Sequence, residues 1–368
     1  MSDFIKGMDI SSLVEVENCG GRFYDNGKEG DAVDILKSYG MNLARLRLWN
    51  DPYSADGVSY GAGGNDLPRT MEMAKRVQEA GIGWILNLHY SDFWADPGKQ
   101  TIPKAWQGMH LEEMARALYE FTATVIKTLA ADGLMPEIVA VGNELSKGLL
   151  WPYGRTPNFE NIVLFLNAGI RAVRETAPNA KIMLHLDNGG NNELYRTWFD
   201  SYFAAGGEDF DLIGLSYYPF WHGTPDDLRK NMNDIALRYH KDLILVEVST
   251  GFTTEDYASY EKLEPDARKG MATKPALVEK VPYPMTTEGQ SAFMQDIMEI
   301  IRDVPENRGK GFVYWEPAWL PVPGSGWAND AALAYTGEKG PGGNEWANQA
   351  LFDYDGNALP ALKTIRDF

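Results

Sequence analysis

The chain has 368 residues, 44% of them hydrophobic and 23% charged, which supplies a sizeable core and rules out the low-hydrophobicity composition of a disordered chain. A formal charge of −18 repels phosphate backbones and anionic lipid, so neither nucleic acid nor a membrane surface is expected as a partner, and a neutral substrate fits better. Cys19 is the single cysteine; no intramolecular disulfide can form, and the thiol reads as a reduced core or turn residue.

The N-terminal "MSDFIKGMDISS" has no basic segment followed by an apolar leader, and no window reaches membrane-spanning length. The chain as given is expected to stay in the aqueous phase. Cytoplasmic and exported locations both remain open. The 11 Trp, 18 Tyr and 15 Phe exceed what a core alone needs, and flat rings in a cleft suit the apolar faces of sugars.

In chain order, short apolar runs rich in β-branched or aromatic residues read as strands: "FIKGMDI" from Phe4, "LARLRLW" from Leu43, "WILNLHY" from Trp84 and "EIVAVGNE" from Glu137. Four more follow: "KIMLHLD" from Lys181, "DLIGLSYYP" from Asp211, "DLILVEVS" from Asp242 and "GFVYWEP" from Gly311. Between them, Leu111, Met114, Ala115, Leu118, Thr122, Val125, Ile126 and Leu129 keep the spacing of an amphipathic helix. Further helices are expected over Pro68 to Ala80, Glu160 to Ala177, Pro225 to His240 and Thr287 to Asp303, and "ALPALKTIRDF" closes the chain. Eight alternations with near-continuous apolar strands predict a (β/α)₈ barrel with extended βα loops, residues 1–368 forming one unit. No Gly-x-Gly-x-x-Gly follows an early strand, which disfavours a doubly wound sheet.

The strand C-termini of such a barrel carry the site. They supply Asp9; Arg45, Arg47 and Trp49; Asn87, His89 and Tyr90; Asn143 and Glu144; His185 and Asp187; Tyr217 and Tyr218; Glu247; Trp315 and Glu316. Carboxylates at strands four and seven face each other across a closed barrel, which is the arrangement glycoside hydrolysis needs. Tyr217 or Tyr218 could hold the strand-seven carboxylate ionised. The plainer alternative for Arg45 or Arg47 is a structural ion pair with a buried Glu. His89, His185 and Asp187 are the residues a divalent metal would use, but no His-x-His after the first strand and no His-Glu-x-x-His supports a catalytic metal.

The blocks "GMDISSLVEVENCGG", "DILKSYGMNLARLRLWNDP", "LHYSDFWADPGKQTIPKAW", "VGNELSKGLLWP", "GLSYYPFW" and "FVYWEPAWLPVPGSGW...WANQALFDYDGNALP" resemble the endo-β-1,4-galactanases of glycoside hydrolase family 53. The resemblance runs from about Gly7 to Leu362. It implies a retaining (β/α)₈ hydrolase acting on β-1,4-galactan and galacto-oligosaccharides, with Glu144 as acid/base and Glu247 as nucleophile, and with Glu316 as the competing carboxylate. It further implies His89, Asn143 and Tyr217 at the central subsite, with His185 a weaker candidate, Arg47 among the substrate-binding residues, Trp315 as floor, and Trp94, Trp319, Trp327 and Trp346 as stacking platforms. No cofactor is required for catalysis, and the chain is expected to act as a monomer.

Two alternatives stay open: a same-clan hydrolase acting on mannan, xylan or glucan, and a galactan-binding barrel without turnover. One departure from the family's pattern is plain. Glu247 precedes Val248, Ser249, Thr250 and Gly251 where the family usually has Glu-Thr-Ala. The following loop also differs from the calcium-holding loop of bacterial members, although its acids Glu255, Asp256, Glu261, Glu264 and Asp266 could still bind a structural calcium.

Overall fold

The computed structural model describes residues 4–257, 273–339 and 341–368. The eight apolar runs become the strands β1 (Ile5–Asp9), β2 (Leu43–Leu48), β3 (Gly83–Leu88), β4 (Ile138–Val141), β5 (Lys181–Leu186), β6 (Leu212–Tyr217), β7 (Asp242–Val248) and β8 (Gly309–Tyr314). They pair in parallel in chain order, and β8 returns to β1, so the sheet closes as a (β/α)₈ barrel. A strand covered on both faces has no reason to alternate apolar with polar residues. In β2 all six positions are buried.

Helices return the chain between strands: Ala32–Ser38, Leu67–Glu79, Leu111–Ala131, Phe159–Thr176, Asn192–Ala204, Pro225–Tyr239, Thr287–Arg302 and Pro360–Asp367. Several begin where a side chain accepts an otherwise orphaned backbone N–H. Asp31, Asp66, Asn158, Asn191, Thr224 and Thr286 all do so. Among the described residues no helix is long and apolar enough to cross a membrane.

The core divides into two shells. Ile5, Leu43, Ile85, Ile138, Ala140, Met183, Leu212, Ile244, Val246 and Val313 form a cluster drawn from all eight strands, which plugs the barrel interior. The larger cluster, including Leu46, Leu86, Val139, Leu184, Ile213, Leu245 and Phe312, lies between strands and helices. Side chains alternate along a strand, so this division fixes which residues above the plug can point inward. On β6, Leu212 faces in, and Gly214 lies where an added Cβ would approach Met183 and Val246. Ser216 and Tyr218 continue that inward series.

Candidate active site

Above the plug the interior becomes polar while remaining buried. Arg45 lies 2.6 Å from Asp9 through Nη1 and 2.8 Å from Glu247 Oε1 through Nη2. Arg47 lies 3.4 Å from Asp9 and pairs with Glu316, whose other oxygen accepts from Ser12 Oγ at 2.5 Å. Removing such charges from water is costly, and the cost is offset here because the cations and carboxylates interlock in one continuous chain.

Glu247 reaches the interior through a register shift. Ile244 and Val246 face the plug, so strict alternation would send Glu247 outward. The pairing of β6 with β7 slips by one residue, aligning Leu215 with Leu245 but Ser216 with Glu247 and Tyr217 with Val248. The bulge turns the carboxyl inward. Tyr218 then donates its hydroxyl to Glu247 Oε2 at 2.8 Å.

Glu144 is placed by a different device. Just after β4 come Gly142 at φ +90° and Glu144 itself at φ +48°, the left-handed region, for Glu144 an uncommon conformation that side-chain packing must hold. At Gly142 a Cβ would come within 2.7 Å of Leu145. Ser216 Oγ donates to Glu144 Oε1 at 2.7 Å. One oxygen of Glu144, one of Glu247 and one nitrogen of His185 all lie within 4.8 Å of one another.

The two carboxyls differ in surroundings. Burial pushes Glu144 well above the usual carboxylate range, helped by the charges of Glu247 and Asp187 and opposed by the Ser216 hydroxyl. Burial also raises Glu247, but the Arg45 guanidinium and the Tyr218 hydroxyl pull it back toward ionisation. Of the two, Glu144 is the carboxyl that keeps its proton. His185 is held well below the ordinary imidazole range by burial, then by Arg45 and His222, and is neutral.

Both carboxyls open onto a cavity of about 360 Å³ lined by Trp94, Trp221, Trp315, Trp319, Trp327 and Trp346, with Asn143, Tyr218, His222, Asp96, Lys99 and Glu338. Trp319 and Trp346 lie parallel within 5°, their centroids 6.4 Å apart, while Trp315 stands perpendicular to Tyr218. Lys99 joins the loop after β3 to the loop after β8, 2.8 Å from Asp96 and 3.1 Å from Glu338.

Asn143 and the five expected tryptophans therefore come together with Glu144 and Glu247. Arg47 and His89 do not line the cavity. Arg47 sits beneath its wall, 4.3 Å from the Trp94 ring centroid, and His89 Nδ1 accepts from Trp49 Nε1 and Ala95 N–H, both at 3.2 Å. Tyr217 is a correction. Alternation on β6 sends it outward, where its hydroxyl donates to Gly223 O at 3.0 Å and its ring stacks on Phe293. Trp221 was missed, although it ends the quoted run "GLSYYPFW". It is 47% exposed, and no periodicity marks a loop residue as a cleft residue. The Lys99 bridge to Glu338 spans 239 positions of sequence and has no local signature.

Among the described residues, Glu144, His185 and Glu247 are the one set of three close enough to ligate a metal. His89, His185 and Asp187 do not form such a set. Of the loop acids open to calcium, Glu261, Glu264 and Asp266 lie outside the described residues.

The sequence pattern of Glycosyl hydrolase family 53 matches residues 5–365. An endo-β-1,4-galactanase of Bacillus subtilis (strain 168) is 37% identical over 383 aligned positions, covering 99% of this chain and 86% of that protein. An arabinogalactan endo-β-1,4-galactanase of Humicola insolens is 34% identical, covering 86% of this chain and 90% of its own. The solved structure of the Ignisphaera aggregans GH53 catalytic domain superposes with a TM-score of 0.90 at 38% identity, covering 99% of this chain and 96% of that one. The chain belongs to glycosyl hydrolase family 53.

Proposed function

We propose that residues 1–368 act as an endo-β-1,4-galactanase that cleaves pectic galactan with retention of anomeric configuration. Glu144 protonates the glycosidic oxygen as Glu247 attacks the anomeric carbon, giving a covalent glycosyl ester and a free aglycone hydroxyl. Water activated by ionised Glu144 then displaces Glu247 and returns the proton to Glu144. The observation that carries this reading is the approach of one oxygen from each carboxyl to within 4.8 Å, close to the ~5–5.5 Å carboxyl separation of retaining glycosidases and short of the gap that an inverting enzyme leaves for water. Glu316 is the weaker nucleophile candidate because Arg47 and Ser12 engage both its oxygens. The substrate is inferred from the activities of the two galactanase relatives.

Asn143 and the tryptophans of the cavity serve as sugar contacts in this reading, with Trp221 added and Tyr217 removed. Catalysis needs no cofactor. A structural calcium would take oxygen donors such as Asp256 and Asn348, which share a small cavity between the loops after β7 and β8. Among the described residues the buried Oδ1 of Asn348 has no hydrogen-bond partner, which suits a hard cation. Melting temperatures with calcium and with EDTA test this. The closed barrel leaves no strand edge to pair with a second copy, which supports a monomer.

The test of function is reducing-end release from linear β-1,4-galactan, mannan, xylan and cellulose by wild type, Glu144→Ala and Glu247→Ala. Galactan alone should be cut, and either substitution should lower the rate by roughly three orders of magnitude. Cleavage of another polymer in place of galactan would move the specificity, and an active Glu247→Ala would overturn the assignment of the nucleophile.

A further inference from the structure

The mechanism above uses Glu144 as a proton donor without saying which of its oxygens carries the proton. A chain of hydrogen bonds behind it decides the matter, beginning at Asn143. Its Nδ2 donates to Ala95 O at 2.8 Å, which fixes the amide's orientation, and its Oδ1 accepts from Arg45 Nη2 at 2.7 Å and from Asn87 Nδ2 at 3.0 Å. Both lone pairs of that oxygen are engaged.

His185 Nδ1 lies 3.1 Å from the same oxygen and 3.4 Å from the Glu144 backbone N–H. With the oxygen already filled, Nδ1 is left as acceptor from the amide. A neutral imidazole then carries its one proton on Nε2, and Nε2 lies 2.7 Å from Ser216 Oγ. The serine oxygen receives that proton as an acceptor, so its own hydroxyl points to Glu144 Oε1 at 2.7 Å.

We propose that Ser216 and His185 are positioning residues for the acid/base: in series they reserve Glu144 Oε1 as a hydrogen-bond acceptor and leave the transferable proton on Oε2. This rests on the reading of Glu144 as the acid. The arrangement serves both half-reactions, because the serine hydroxyl strengthens its bond as Glu144 becomes a carboxylate and never competes for the departing proton. No atom of Ser216 needs to touch substrate.

Other groups facing Glu144 set the background for any pH effect. They are Glu247 on β7, Asp187 just after β5, Asp96 on the loop after β3, and the phenols of Tyr218 and Tyr195. A Ser216 substitution leaves their composition unchanged. Because the hydroxyl favours the ionised carboxyl, its removal raises the pKa of Glu144.

The experiment is kcat/KM, which reports the glycosylation step, for wild type, Ser216→Ala and Ser216→Thr on linear galactan and on a 2,4-dinitrophenyl β-galactobioside, whose leaving group needs no acid. Ser216→Ala should lose about tenfold or more on galactan, stay within about twofold on the activated substrate, and shift the alkaline limb of the galactan profile to higher pH. Ser216→Thr, which keeps the hydroxyl, should restore both. Equal losses on the two substrates, or an alkaline limb that does not move, would overturn the proposal. A wild type inert on galactan would instead overturn the reading of function, so the two failures are distinguishable.

Discussion

Arg45 holds Glu247 at 2.8 Å from a position that is itself 1% exposed, and its other nitrogen is committed to Asp9. Replacing it with methionine takes the nearest cation from two buried carboxylates at once. Arg45→Met should cost about 3–5 kcal/mol in urea unfolding. The acid limb of its pH–rate profile should move to higher pH, since the cation that favours ionised Glu247 is gone. An unmoved acid limb would mean that Arg45 supports only the fold.

Adjacent tyrosines at the end of β6 make a matched pair. Tyr218→Phe removes the hydroxyl that Glu247 accepts and should lower kcat/KM on galactan by about tenfold to a hundredfold. Tyr217→Phe loses only the bond to Gly223 O. It should leave the kinetics unchanged and cost about 1 kcal/mol in denaturant unfolding. The opposite ranking in activity would reverse the facing of the two residues.

Glu15 lies on the short helix Leu13–Asn18, close to the backbone of Ala62 and Gly63 and to the charges of Arg47 and Arg69. Burial pushes its carboxyl up to about 7. The folded chain therefore keeps a proton that the unfolded chain releases near 4.5, and the associated stability is lost as pH rises through that window. Glu15→Gln should match wild type near pH 4 and be more stable at pH 8, by about 1–3 kcal/mol. Unfolding curves at the two pH values check the sign.

Trp346 stacks parallel to Trp319 on the cavity wall. Trp346→Ala should raise KM for galactan by about tenfold or more and change kcat by only a few-fold, as expected for a platform that holds ground and transition states alike. Titration of galacto-oligosaccharides into Glu247→Ala and into the double variant would show the same loss in Kd.

The fold was legible because a barrel strand buried on both faces is continuous in its apolar residues, and eight such runs stand apart from helices of a different period. The placement of Tyr217 was also legible in principle. Leu212, Gly214 and Ser216 share its strand in the opposite phase, so Tyr218 follows them inward by counting alone. Glu247 could not be oriented by counting, because Ile244 and Val246 predict the wrong face and only the pairing with β6 reveals the slip. The left-handed turn at Glu144 and the bridge from Lys99 to Glu338 depend on contacts between distant segments, which no local pattern encodes.

That slip makes β7 intolerant of a change in length. Loops at the cavity rim can lengthen or shorten and retune substrate length, since a change there leaves the strand register intact. Closing that slip with every residue kept would instead present Glu247 to the helices, exchanging a hydrolase for an inert barrel of identical composition. Length variation among relatives should therefore concentrate in the rim loops and be purged from Asp242–Val248.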